Sequence, residues 1–171
     1  MKKLITILFL FLTITSYGQT KLDIEMFKVV NEYRISNGLN AWVWDQQVFK
    51  VAEKHNHYQT QISDIYHGEP KNVKNHIEIN SVGGRLDAGG VGDWIKCGEN
   101  LAVVKSDDLT ISAIAKKTLW MWIGSPSHKK LLLSPNGDYI YGAISSKITT
   151  EWTGAIGTHT WTYLTLNVYR K

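Results

Sequence analysis

Apolar positions in the first third of the chain recur at helical spacing. Ile24, Phe27, Val30 and Tyr33, with Arg34, keep a three- and four-residue rhythm, and Gly38 follows as a stop. This predicts a helix from about Asp23 to Asn37. Asp45 suits the N-cap of a second helix, whose stripe is Val48, Val51, Ala52, His55, Tyr58, Gln59 and Ile62. Between the two, Leu39, Trp42 and Trp44 are expected to pack inward. The stretch Ser63–Gly98 holds Gly68, Pro70, Gly83, Gly84, Gly89, Gly90 and Gly92 and reads as loop, with a short helix near Val73–Asn80. Asp107 or Asp108 is expected to cap a third helix with Ile111, Ile114, Ala115, Thr118, Leu119 and Trp122 on its buried stripe. Ser125-Pro126 breaks it, and Pro126 opens a further turn through Ser127–Leu133. Pro135-Asn136-Gly137 is a turn signal. Beyond it the period changes to two. Tyr139–Ser146 and Thr160–Tyr169 read as antiparallel strands, the second with Leu164, Leu166 and Val168 on one face and Trp161, Tyr163 and Tyr169 on the other. Helices first and strands later, without βαβ alternation, predict an α+β domain.

Met1–Gly18 has a different character. Lys2 and Lys3 precede an apolar run, Leu4 to Ile14, and Ser16-Tyr17-Gly18 ends it with small residues. This is the layout of a signal peptide, too short for a comfortable transmembrane helix, and it predicts a secreted or periplasmic single domain, Gln19–Lys171. The formal charge of +4 includes those two lysines. The remaining balance gives no reason to expect nucleic acid as a partner. Hydrophobic residues at 43% argue against disorder, and 1 cysteine, Cys97, excludes a disulfide framework within one chain. Cys97 is expected to be buried rather than a reactive thiol.

Chemistry must come from histidines and carboxylates. The chain has no His-Glu-x-x-His run, no Gly-x-Ser-x-Gly elbow and no phosphate loop. His55 lies on the buried stripe and reads as a packed, hydrogen-bonded residue. His57, His76 and His159 read as solvent-facing. His67, opening the glycine-rich stretch, and His128, just past a helix break, sit where rigid elements aim side chains into a cleft. Gly98-Glu99-Asn100-Leu101-Ala102 taken alone is a turn leading into a strand or helix.

Taken in order, several segments resemble a known family. They are Asn31-Glu32-Tyr33-Arg34 with Gly38-Leu39 and Trp44-Asp45, then Ala52-Glu53-Lys54-His55, His67, and Gly98-Glu99-Asn100-Leu101-Ala102. Trp122-Ile123-Gly124-Ser125-Pro126-Ser127-His128 and Tyr141-Gly142-Ala143-Ile144 follow. The series resembles the CAP superfamily, the SCP-like domains related to cysteine-rich secretory proteins, antigen 5 and pathogenesis-related 1 proteins, in its bacterial branch. The resemblance implies an α-β-α sandwich with a small antiparallel sheet and a central cleft. It also implies metal-ligating positions at His67, Glu99 and His128, with Asn100 and Ser125 as cleft neighbours. Ser125 stands where a second acidic residue is expected. A site short of one charge would hold zinc weakly, and no cofactor is required. The same trio reads equally as a hydrogen-bonded polar cluster that keeps the cleft's shape.

Two functions remain open at this point. One is a monomeric secreted binding module, its cleft or its seven Trp and eight Tyr serving a lipid or glycan. The other is a weakly metal-dependent hydrolase using His67, Glu99 and His128.

Overall fold

In the computed structural model, which describes residues 19–69, 79–107, 109–152 and 158–171, a four-stranded sheet carries helices on both faces. The elements run α1 (Lys21–Ser36), β1 (Val43–Trp44), α2 (Gln46–Ile62), α3 (Val82–Ala88), β2 (Lys96–Lys105), α4 (Ile111–Gly124), α5 (Pro126–Leu132), β3 (Tyr141–Trp152) and β4 (Thr158–Arg170). The strand order is β1-β3-β4-β2, antiparallel except for the short parallel β1·β3 pair. The α+β class and the helix-sheet-helix layering are those expected. The expected signal peptide, His76 and nearly all of the expected helix at Val73–Asn80 lie outside the described residues.

Local chemistry accounts for most boundaries. Thr20 caps α1 through a reciprocal box with Asp23, and the helix starts at Lys21, two residues before the predicted start. Gly38, at φ +75°, turns the chain away from the helix end, a conformation that favours glycine. Asp45 caps α2 as predicted, its carboxylate accepting from the amides of Gln47 and Val48. The cap of α4 is a correction. Thr110 accepts from the Ala113 amide there. Asp107 instead accepts from the Thr160 amide and pairs with His159, pinning the start of β4. His159 is therefore half-buried, not a free solvent-facing group. The Gly98–Ala102 segment lies inside a ten-residue strand, β2, that local pattern left undecided.

The two faces of the sheet differ in kind. Ala102, Val104, Ile144, Leu164, Leu166 and Val168 form one apolar face under α1 and α4, with Trp42 and Trp122 buried among them. On the opposite face, register places Glu99, Asn167 and Ala143 side by side, toward α2. That layer is mixed: Val48, Phe49, Val51, Leu86, Val91, Ala143 and Tyr169 form a second apolar cluster, and buried polar side chains lie beside it. Asn56 donates to the Ser145 carbonyl and accepts from Thr165, while the buried amides of Gln59 and Asn167 have no hydrogen-bond partner among the described residues. Of the aromatics, Trp120 is 71% exposed on α4. Cys97 is half-buried, and burial raises its thiol pKa, which disfavours the thiolate.

Candidate functional site

The site begins with the turn at the end of α2. Ser63 adopts a left-handed backbone, φ 52°, and reverses the chain, so the Tyr66 carbonyl returns to His55 at 2.9 Å from Nε2. The following residues bring His67 out and Glu69 in. Glu69 pairs through its backbone with Ile79 and sets its carboxylate 2.5 Å from His55 Nδ1. The helix α3, capped by Ser81, then delivers Arg85. Glycines permit its close approach: a Cβ on Gly83 would meet the Trp94 ring at 2.5 Å. Glu99 projects from β2 on the same sheet face.

These residues form one network. Glu99 Oε2 accepts from Arg85 Nη2 at 2.5 Å, and Glu99 Oε1 accepts from His67 Nδ1 at 3.0 Å. Arg85 Nη1 donates to the His67 carbonyl at 2.7 Å, and Arg85 Nε lies 3.8 Å from Glu69 Oε1. His55 Nε2 is 3.9 Å from Glu99 Oε1. His55, Glu69, Arg85 and Glu99 are all buried, whereas the His67 side chain is 62% exposed. A proton can be placed by geometry alone. The Tyr66 carbonyl only accepts, so His55 Nε2 carries a hydrogen. The short Nδ1–Glu69 contact then needs one further proton shared between them.

Of the trio read from the sequence, the structure joins His67 to Glu99 directly. His128 sits half-buried on α5, near enough to His67 to feel its charge, but among the described residues no hydrogen bond or ion pair joins it to either partner. Asn100 points to the other sheet face, where its amide donates to the His128 carbonyl at 3.1 Å. Ser125 occupies the junction of α4 and α5, its hydroxyl 3.3 Å from that of Ser127. The hydrogen bond to Glu99 raises the His67 pKa, against the opposing effect of burial. Burial, and then the charge of His67, lowers that of His128.

This donor set does not fit a divalent cation as it stands. Both Glu99 oxygens are engaged, one of them by a guanidinium. Among the described residues no group of three or more His, Cys, Asp or Glu is placed to hold a metal ion.

Sequence reasoning missed Glu69 and Arg85 and treated His55 as a separate packed residue. The available signal was a lone arginine inside a glycine-rich stretch. A recess of about 870 Å³ borders the network through Glu69 and Arg85 and runs along α2 past Gln47, Lys54, Tyr58 and Gln61. His67, Glu99 and His128 do not line it, nor do they line a second recess of about 420 Å³ between α1, α4 and β3.

No family model and no curated protein matches the sequence. Solved structures do. An extracellular SCP-domain protein of Bacillus anthracis superposes with a TM-score of 0.60 at 22% identity, covering 88% of this chain and 40% of that one. An outer surface protein of Borrelia burgdorferi gives 0.58 at 20% identity, covering 90% of this chain and 97% of that one. A cysteine-rich secretory protein of Staphylococcus aureus gives 0.53 at 16%, covering 91% and 40%. This chain thus spans less than half of the Bacillus and Staphylococcus chains and nearly all of the Borrelia one.

Proposed function

We propose, from the premise that this chain has the CAP/SCP-like fold of those bacterial proteins, that it is an exported, monomeric binding module. Its signal peptide is 1–18, and its ligand is a glycan of the envelope or the extracellular space. The observation that carries binding over catalysis is the engagement of Glu99. Each of its oxygens is held in a charge-assisted hydrogen bond, one with Arg85 and the other with His67, which lowers the basicity a general base would need. The 870 Å³ recess beside α2 has the volume of a small-ligand site. Gln47, Lys54, Tyr58, Gln61 and Lys147 place hydrogen-bonding groups on its walls, where sugar hydroxyls can be met. No helix among the described residues is long and apolar enough to cross a membrane.

Calorimetric titration tests this with two probes, isolated bacterial envelope polysaccharide and phospholipid vesicles. Saturable binding of polysaccharide, weakened in Gln47→Ala/Gln61→Ala, is expected. Binding to vesicles alone, or to neither probe, overturns the reading.

One observation favours a second reading, a hydrolase built on His67 and His128. Their pKa values are pushed in opposite directions, the pattern of an acid and a base. Bond cleavage in the polysaccharide, lost in His67→Ala and in His128→Ala, would establish it.

A further inference from the structure

The outer side of α4 carries a surface that lies outside both recesses. Trp120 is 71% exposed and Met121 43%, whereas Trp42 and Trp122 are buried in the core. Helical spacing sets Lys116 and Lys117 one turn before Trp120, and Lys117 one turn before Met121. All four side chains are exposed, away from the buried stripe of Ile114, Ala115, Thr118 and Trp122. The next helix, α5, adds Lys129 and Lys130, both exposed. The two helices enter the same apolar cluster, α4 through Trp122 and α5 through Leu132, and their lysines lie on the sides turned away from it.

Charge says what fits this face. From Leu109 to Gly137 the sequence holds these four lysines and no Asp, Glu or Arg. With Lys2, Lys3 and these four set aside from the 19 basic residues, thirteen remain against 15 acidic ones, so the positive charge is concentrated here. Among the described residues none of the four lysines is in an ion pair. Lys117 donates to the Lys105 carbonyl at 3.2 Å and keeps its charge. Asp107 is taken by Lys105 and His159, and on α1, which packs on α4, Lys28 pairs with Glu25 and Glu32. We propose that this face rests on a bilayer rich in anionic phospholipid, the Trp120 indole at headgroup level and the lysines on the phosphates. An indole has an apolar body and one N–H donor, and favours the boundary between hydrocarbon and water. Lysine stems cover apolar surface while the ammonium reaches outward. An anionic surface attracts such lysines, and a neutral one gives them no charge to meet. The attachment uses no residue of the α2 recess and leaves it open to its ligand.

Co-sedimentation with vesicles tests this, using phosphatidylcholine alone and an equal mixture of phosphatidylcholine and phosphatidylglycerol. Wild type should sediment with the mixture and not with phosphatidylcholine. Salt at ~1 M, where screening leaves a reach of about 3 Å, should release it. Lys116→Gln/Lys117→Gln should weaken partitioning roughly 25-fold, at about fivefold for each lysine. Trp120→Ala should weaken it roughly tenfold, for about half of the ring area removed from water. The positions are exposed, so both variants should keep the wild-type Tm. The mixed vesicles should shift the tryptophan emission of wild type to the blue, and Trp120→Phe should abolish the shift. Gln47→Ala/Gln61→Ala should sediment as wild type does, so failure here and failure of the glycan reading are separate results. Equal binding to both kinds of vesicle, binding to neither, or binding unchanged in the lysine and tryptophan variants overturns the proposal. A dimer in sedimentation velocity that Trp120→Ala dissociates would assign the face to a second copy of the chain, and also overturns it.

Discussion

At the scale of single residues, His67 and His128 have different surroundings. Glu99 favours the charged form of His67, and burial disfavours that of His128. Proton NMR titration of the two rings should give midpoints on opposite sides of the ordinary imidazole value of about 6.5. Glu99→Gln should lower the His67 midpoint. Coincident midpoints would mean that His67 and Glu99 do not meet in solution. The signs for stability are opposite. His67, with a raised folded pKa, contributes stability that is fully present below the ordinary value and is lost as pH rises through the folded one. His128, with a lowered folded pKa, contributes stability that is present above the ordinary value and is lost as pH falls toward the folded one. The exposure of His67 makes its share small.

At the scale of elements, β4 decides the core because it is hydrogen-bonded on both sides, to β3 and β2. Leu164, Leu166 and Val168 are fully buried on its apolar face. Leu166→Ala should lower stability by about 2–5 kcal/mol in chemical denaturation. A loss well under ~1 kcal/mol would mean that this face is not the core. The cap of α2 offers an independent check. Asp45 holds the amides of Gln47 and Val48 and also accepts from the Tyr169 hydroxyl at 2.7 Å. Asp45→Ala should cost about 1–3 kcal/mol, because the helix cap and the acceptor for the buried Tyr169 hydroxyl go together. Tyr169→Phe leaves the cap intact and should cost about 1 kcal/mol. Equal losses from the two variants would assign the stabilisation to the tyrosine bond alone.

At the scale of the whole molecule, Arg34 ties distant parts of the chain. From α1 its guanidinium donates to the carbonyls of Leu132 at 2.7 Å and Asn40 at 2.9 Å, and it lies 4.2 Å from the centre of the Trp42 ring. A lysine reproduces neither the planar stacking nor the set of donors. Arg34→Lys should therefore lose about 2–4 kcal/mol in a urea titration, through two or more unsatisfied buried carbonyls. A change under ~0.5 kcal/mol would mean that these bonds are made equally well by water. The arrangement also explains the two kinds of layer. Apolar contacts between α1, α4 and the sheet anchor the fold. The α2 side combines a second apolar cluster around Val48, Phe49 and Val51 with hydrogen bonds and ion pairs, which depend on geometry and pH.

Much of this architecture is set by local chemistry and was legible in the sequence. Helical periodicity and capping located α1 and α2, alternation located β4 and its two faces, and Pro126 located the break before α5. His55 was legible as a buried, hydrogen-bonded residue because it fell on the apolar stripe of its helix. The cap at Thr110, the full length of β2 and the helix α3 were not legible. Asp107 was free to serve either a helix or a neighbouring strand. The Gly98–Ala102 segment is ambiguous until β4 lies beside it. Glycines that read as loop instead permit close packing of α3. The candidate site shows the same division. His67 and Glu99 were named from sequence, but their partner Arg85 was not. Residues 67, 85 and 99 meet only when α3 is folded against β2, and no spacing along the chain encodes that contact. Periodicity reports which face of an element is apolar. Which charges are placed together in a buried layer is decided by tertiary packing, because an ion pair in low dielectric depends on distances of a few ångströms that only the assembled fold fixes.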